Sequence, residues 1–288
     1  GEIIGAMRVA DCGIMLLNSV MGVEVGTDII WEYTDNYKLP MLLAVNHLDN
    51  EKADFEKTVQ EAKSHFGNNI VVVQYPLNQG VGFNAIIDVL NMVMYQYPAN
   101  GGKPEKLPIP TAELEKANQL HQELIETIAG NDETLMERFF DKGTLDEDEM
   151  KQGLHHSLIK HEIFPVFCVS AKQNMGCGRI MSFIDNVCPS AYEMPKQKTI
   201  DGKEITCSDK ESTAIFIYKT LSEPHVGDLS FFKVLSGKIK VGDELTNENT
   251  GQIERINQLY EMQGNKRIAV NELVAGDIGA TLKLKNTH

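Results

Sequence analysis

The chain has 288 residues, 42% of them hydrophobic and 24% charged, with a formal net charge of −14. That length allows about two domains with substantial cores, and no apolar run approaches the roughly 20 residues that span a bilayer. So acidic a surface argues against indiscriminate nucleic-acid binding, and five scattered cysteines with no CxxC predict reduced thiols and no metal site.

In chain order, "GEIIGAMRVADCGIMLLNSV" places Ile3, Ile4, Met7 and Ala10 at helical spacing with no cap before them. A strand follows over Gly13–Val20. A helix entered part-way, together with an end at "ATLKLKNTH" just after a strand, predicts an excised piece of a longer protein. A helix is expected around Val25–Tyr37 and a strand over Met41–Val45. The next helix has Phe55, Val59, Ala62 and Phe66 on one face and Gly67 as its C-terminal cap. "NIVVVQYPL" reads as one strand. This alternation predicts an α/β layer with a largely parallel sheet.

From Thr111 helices take over. Leu114, Ala117, Leu120, Leu124 and Ile128 form a stripe that ends at Gly130. "NDETLMERFF" starts another helix, and Thr144 with Glu147 offers a capping box for a third. The strand Phe164–Val169 and a helix carrying Ile180, Phe183, Ile184 and Val187 resume the α/β pattern, until Cys188-Pro189 stops it. After a polar, Lys-rich stretch, short glycine-broken strands from Ser212 onward predict a small β-barrel. Charge is unevenly placed. Residues 99–165 hold 14 acids against 7 bases, whereas residues 209–288 hold 11 against 10.

Two loops carry candidate chemistry. Asn46-His47-Leu48-Asp49 and Ser170-Ala171-Lys172 each follow a buried strand, and open α/β sheets bind ligands beyond the carboxyl ends of their strands. An Asp there can accept hydrogen bonds from the ring N–H and the exocyclic amine of guanine, while a backbone N–H in the second loop donates to the guanine carbonyl. Adenine would leave these groups unpaired. Asn and Asp are also common turn residues. No G-x-x-x-x-G-K-[ST] is present: "LSGKIK" has Ile239 where a hydroxyl would hold magnesium. No catalytic constellation is evident, and histidines such as His155 and His156 are expected to be solvated.

Several segments resemble the elongation factor G family of bacterial translational GTPases, which drive ribosomal translocation. "AMRVADCGIMLLNSVMGVEVGTDIIWEY" is similar to the segment after the second switch, and "NHLD" stands where the family has Asn-Lys-x-Asp. "LIETIAGNDETLMERFFDKGTLDEDEMKQGLHHSLIKHEIFPVFCVSAKQNMGCGRIMSFIDNVCPS" resembles the G-domain insert running into the Ser-Ala loop and last helix. "GDLSFFKVLSGKIKVGDELTN" is similar to the signature of the second domain.

The resemblance implies an α/β fold: a partial P-loop-NTPase-type G domain over residues 1–190 with a mainly helical insert at about 68–162. A linker over 191–210 and a translation-factor-type β-barrel over 211–288 would follow. It implies GTP and magnesium in the full-length protein but none bound by this fragment, which lacks the phosphate loop and switches and is expected to be inactive. Asn46, Asp49, Ser170, Ala171 and Lys172 match the guanine-binding positions, and His47 departs from the family Lys. The retained fourth, fifth and sixth strands should be adjacent, with an unpaired edge inviting self-association.

The implied partner is the ribosome, in the cytoplasm. Its large-subunit stalk protein would meet the acidic insert, through Asp146–Glu149 and the helix Glu113–Glu126. Small-subunit RNA would meet the barrel near Lys233, Lys238 and Lys240. Two alternatives stand beside a translocation factor: a ribosome-binding paralogue with weakened or lost GTP dependence, and a related release or ribosome-protection GTPase.

Overall fold

The computed structural model describes residues 2–99, 102–223 and 227–287. The chain forms two compact units, one of residues 12–189 and one of residues 1–11 with 190–288.

Helix α1 (Glu2–Val9) opens the chain, and β1 (Gly13–Asn18) begins the first of these units. β2 (Met41–Asn46) is buried at all six positions, as a central parallel strand covered on both faces must be. Helices α2 (Val25–Tyr37) and α3 (Phe55–Phe66) flank it. The Asp54 carboxylate accepts the Lys57 N–H at 2.9 Å to start α3, and Gly67, at φ +102°, ends it. Trp31 of α2 stacks on Phe66 at 4.4 Å between ring centroids and meets Phe164 edge-on at 4.7 Å.

"NIVVVQYPL" is not one strand. Ile70–Val72 (β3) joins the parallel sheet, and Gln74–Pro76 (β4) enters a second sheet. The switch falls at Val73. Its N–H donates to the Val166 carbonyl at 3.0 Å, and its carbonyl accepts the Val89 N–H at 2.9 Å. β4 continues through β5 (Ala85–Asp88), β6 (Val93–Gln96) and β7 (Glu105–Leu107) as an antiparallel sheet in that order. The insert expected to be mainly helical therefore carries a four-stranded sheet before its helices.

Those helices are α4 (Leu114–Gly130), α5 (Glu133–Lys142) and α6 (Glu147–Ile159). The buried stripe of α4 runs through Ala117, Leu124, Ile125, Ile128 and Ala129, leaving Leu114 exposed. The cap of α6 is Asp146 with Glu149, not Thr144 with Glu147: each of Asp146 and Glu149 accepts the other's backbone N–H, at 2.9 and 3.0 Å. The Thr144 hydroxyl turns instead to the Leu145 carbonyl. Strand β8 (Phe164–Cys168) and helix α7 (Cys177–Val187) complete the unit.

The parallel sheet has the order β1-β2-β8-β3, so the three strands expected to be neighbours are neighbours. β1 is an edge strand with Ile14 and Leu16 exposed.

In the second unit α1 packs on β11 (Ala214–Glu223). By contacts, residues 1–11 group with the β-rich unit. The Lys233 ammonium donates to the Val9 carbonyl at 2.8 Å and lies 2.5 Å from the Asp11 carboxylate, which ties the end of α1 to the β-rich unit. The stretch read as a linker is partly ordered, with a hairpin of β9 (Gln197–Lys198) and β10 (Glu204–Ile205).

Strands β12 (Gly227–Ser236), β13 (Lys238–Lys240), β14 (Glu244–Asn247), β15 (Gln252–Arg255), β16 (Leu259–Gln263), β17 (Lys266–Val270), β18 (Glu272–Val274) and β19 (Ile278–Leu282) follow. They form a sheet in the order β11-β12-β19-β16-β17 with the paired strands β13-β18 and β14-β15. Phe232, Val234, Ile239, Ile256, Leu259 and Leu273 share one core, so the sheet and the β13-β18 pair wrap a common interior.

Candidate functional site

β2 and β8 run parallel and adjacent, with Val45 opposite Cys168, so the loops that follow them leave the sheet at the same end. The side chain of Asn46 turns inward and is 8% exposed. His47 has a left-handed backbone, φ +67°, and an exposed side chain. Leu48 is fully buried and acts as a plug beneath the loop. Asp49 is half-exposed.

The two loops bond to each other across 121 residues. The buried Ser170 hydroxyl donates to the Asp49 carboxylate at 2.7 Å. The Ala171 N–H donates to the Asn46 side-chain oxygen at 3.0 Å, and the Leu48 N–H approaches the Val169 carbonyl at 3.4 Å. Ala171 and Lys172 are exposed at the rim. The structure thus brings Asn46, Asp49, Ser170 and Ala171 together, with Lys172 next in the loop and His47 beside them.

Supporting residues went unread in the sequence. The Ser19 hydroxyl, just beyond β1, donates to the His47 carbonyl at 3.0 Å. The carboxyl-end rule that singled out the other two loops also applies to this position. The Gly80 N–H donates to the Leu48 carbonyl at 2.8 Å, and nothing in the local sequence signals that contact. Gly176 closes the Ser170–Met175 turn at φ +84°, where a Cβ would stand 2.4 Å from the Cys168 carbonyl oxygen.

Other polar groups are committed to structure. His155 is expected to be solvated, but it places Nδ1 on the Val187 carbonyl; His121 and His161 likewise place Nδ1 on the carbonyls of Val89 and Leu39. His156 is exposed, as expected. Burial holds His161 below the ordinary imidazole range. Among the described residues no three His, Cys, Asp or Glu side chains form a group able to hold a metal ion. A polar cavity of about 280 Å³, lined by Gln74, Asp88, Asn91 and Arg179 among others, contains neither loop. Desolvation there pushes the Asp88 carboxyl up.

The charged patches also change. Lys233 is 8% exposed and paired with Asp11, so it offers nothing to a nucleic acid. Lys238 and Lys240 remain accessible, both beside Glu272. In the acidic run, Asp146 is a helix cap and Glu147 pairs with Lys151 at 2.6 Å. Glu149 is buried against Arg138 at 2.9 Å and Lys142 at 3.3 Å. The Asp146 N–H, then Lys142 and Arg138, hold its carboxyl below the usual range. Asp148 is exposed, and the expected acidic face on α4 is open at Glu115, Glu123 and Glu126.

Two family models match. That of the elongation factor Tu GTP binding domain covers residues 1–190, and that of elongation factor G domain 2 covers residues 212–288. A crystal structure of a protein from Thermus thermophilus matches with a TM-score of 0.84 at 24% identity, covering 100% of this chain and 41% of the solved one. At that identity the likeness is one of fold, and the chain spans less than half the length of that relative.

Proposed function

The chain belongs to the elongation factor G family of translational GTPases, and from that premise we propose that its two bonded loops read guanine. The observation that carries this reading is the 2.7 Å hydrogen bond from Ser170 to Asp49. A carboxylate has about four acceptor sites. One bond from Ser170 orients Asp49 and leaves capacity for the guanine ring N–H and exocyclic amine. The guanine carbonyl would take the Ala171 N–H from Asn46, exchanging one acceptor for another. Lys172, exposed at the rim, would lay its stem along the base.

The residues therefore fit the base of GTP, which the family binds. They do not fit the rest of the nucleotide: the sequence has no phosphate loop, and the described residues form no metal cluster. Translocation is the ribosomal step we assign, with the cytoplasm as its place. No described helix is long and apolar enough to cross a membrane.

A second reading has its own observation. At His47 a shorter imidazole replaces the family lysine on an exposed, left-handed backbone. That favours a ribosome-binding paralogue with weakened GTP dependence. Titration of the intact natural protein with a fluorescent guanine nucleotide, as wild type and as His47→Lys, tests it. The lysine is expected to tighten binding about tenfold, or roughly 1.4 kcal/mol. Equal affinities would remove this position as the cause of a weak site.

Of the ribosomal partners, the stalk protein suits the open acidic face of α4, and small-subunit RNA is left with Lys238 and Lys240. Binding of the stalk protein's C-terminal domain to this chain is expected to weaken steeply as salt rises, as steering by exposed charge requires. Binding that ignores salt would dismiss the acidic face as the docking surface. Self-association through the β1 edge, with Ile14 and Leu16 exposed, is the remaining proposal. Sedimentation at two concentrations reads it, and a constant monomer would refute it.

A further inference from the structure

We propose that Cys12 and Cys188 form a dithiol modification site, which low-molecular-weight disulfides convert to an internal disulfide that braces the 12–189 unit. The two sulfurs lie 3.6 Å apart although 176 positions separate them, and both side chains are half-buried. Ordered elements hold them there. Cys12 immediately precedes β1, whose first N–H, that of Gly13, donates to the Pro40 carbonyl at 2.8 Å. Cys188 ends α7, and its own N–H donates to the Ile184 carbonyl at 3.2 Å. Bond formation requires the sulfurs to close from 3.6 Å to about 2 Å.

The other thiols are placed differently. Cys168 is fully buried, and desolvation pushes its thiol far up. Cys177 and Cys207 are half-buried. The 3.6 Å separation of Cys12 and Cys188 lets a thiol exchange finish inside the chain.

The steps balance with glutathione disulfide as oxidant. The Cys12 thiolate attacks one sulfur of glutathione disulfide, forming a mixed disulfide and releasing one glutathione thiolate. Cys188 loses its proton and attacks the Cys12 sulfur, and the second glutathione thiolate leaves. Two protein thiols are oxidised, one glutathione disulfide is reduced to two glutathiones, and these carry off the two protons. The Cys12 sulfur beside it, and then burial, push the Cys188 thiol up, so ring closure is faster as pH rises.

The position gives the bond its consequence. The chain crosses between the two compact units at residues 11/12 and 189/190, and the thiols stand beside those crossings. A bond between them closes nearly the whole 12–189 unit into one ring and restricts its unfolded state. It also pins the far end of α7, the helix that begins where the Ser170–Met175 turn ends.

The test incubates the intact natural protein with glutathione disulfide across a pH series, followed by alkylation, peptide mapping and melting. The expected product is one linked peptide pair containing Cys12 and Cys188. It forms faster at higher pH, is reversed by dithiothreitol, and melts roughly 10 °C higher. Cys12→Ser, which keeps the size of the side chain, should end with all its remaining thiols free or with a stable glutathione adduct on Cys188. A wild-type protein that keeps both thiols free, that stops at a mixed disulfide, or that links them without a change in melting overturns the proposal.

Discussion

Gly176→Ala is expected to destabilise the 12–189 unit by about 3 kcal/mol or more. At φ +84° any side chain is strained, and the added Cβ would meet the Cys168 carbonyl oxygen at 2.4 Å and Val169 Cγ1 at 2.9 Å. The carbonyl cannot yield cheaply, because Cys168 is held in register against Val45 in the centre of the parallel sheet. Relief has to come from the Ser170–Met175 turn, and that turn positions Ser170 against Asp49. The substitution should therefore weaken guanine binding as well as stability. Gly178→Ala is the control: it lies inside α7 with nothing within 4 Å of a built Cβ. It should stabilise by about 0.5–1 kcal/mol through helix propensity. Urea unfolding of the two variants reads both effects. Equal midpoints would mean that the close approach at Gly176 does not constrain the turn.

Asp49→Asn should weaken guanine nucleotide binding by the intact protein about a hundredfold or more. A carboxylate only accepts, and it faces two donors on guanine. An amide presents one acceptor and one donor, so a donor meets the guanine exocyclic amine and a buried bond becomes a clash of like groups. The same swap should improve binding of a xanthine nucleotide, whose carbonyl stands where guanine has its amine. Ser170 can still donate to the Asn oxygen, so loss through collapse of the loop is separable from loss of pairing. Collapse removes both nucleotides, whereas altered pairing exchanges one for the other. Competition binding with guanine and xanthine diphosphates distinguishes these results.

Much of this architecture is legible in the sequence, and the failures have physical causes. Asp54 and Gly67 bound α3 because a side-chain cap and a positive-φ glycine are local devices. β2 is legible because a strand buried on both faces is a continuous apolar run. The same property hides the break in "NIVVVQYPL": both sheets bury β3 and β4 at every position, so no change of period marks Val73. At α6 two capping frames overlap, Thr144 to Glu147 and Asp146 to Glu149. The choice falls to tertiary contacts, since Leu145 is 4% exposed and Glu149 meets Arg138 and Lys142 of α5. Lys233 reads as one of three clustered surface lysines until α1 and the turn after it, more than 200 residues earlier, supply Val9 and Asp11.

For the candidate site, the loops and their residue types are legible, but their contact is not. Spacing gives only two loops about 120 residues apart. That Ser170 reaches Asp49, and that Asn46 occupies the Ala171 N–H, follows from β2 and β8 being neighbours in the sheet.

Whether these two loops read guanine is decided by the dissociation constants of GDP and ADP for the intact natural protein, measured side by side under one set of conditions. A preference for GDP of about a hundredfold or more is expected, because adenine leaves Asp49 without its pair of donors. Equal affinities for the two nucleotides, or measurable affinity for neither, would contradict a guanine-reading site.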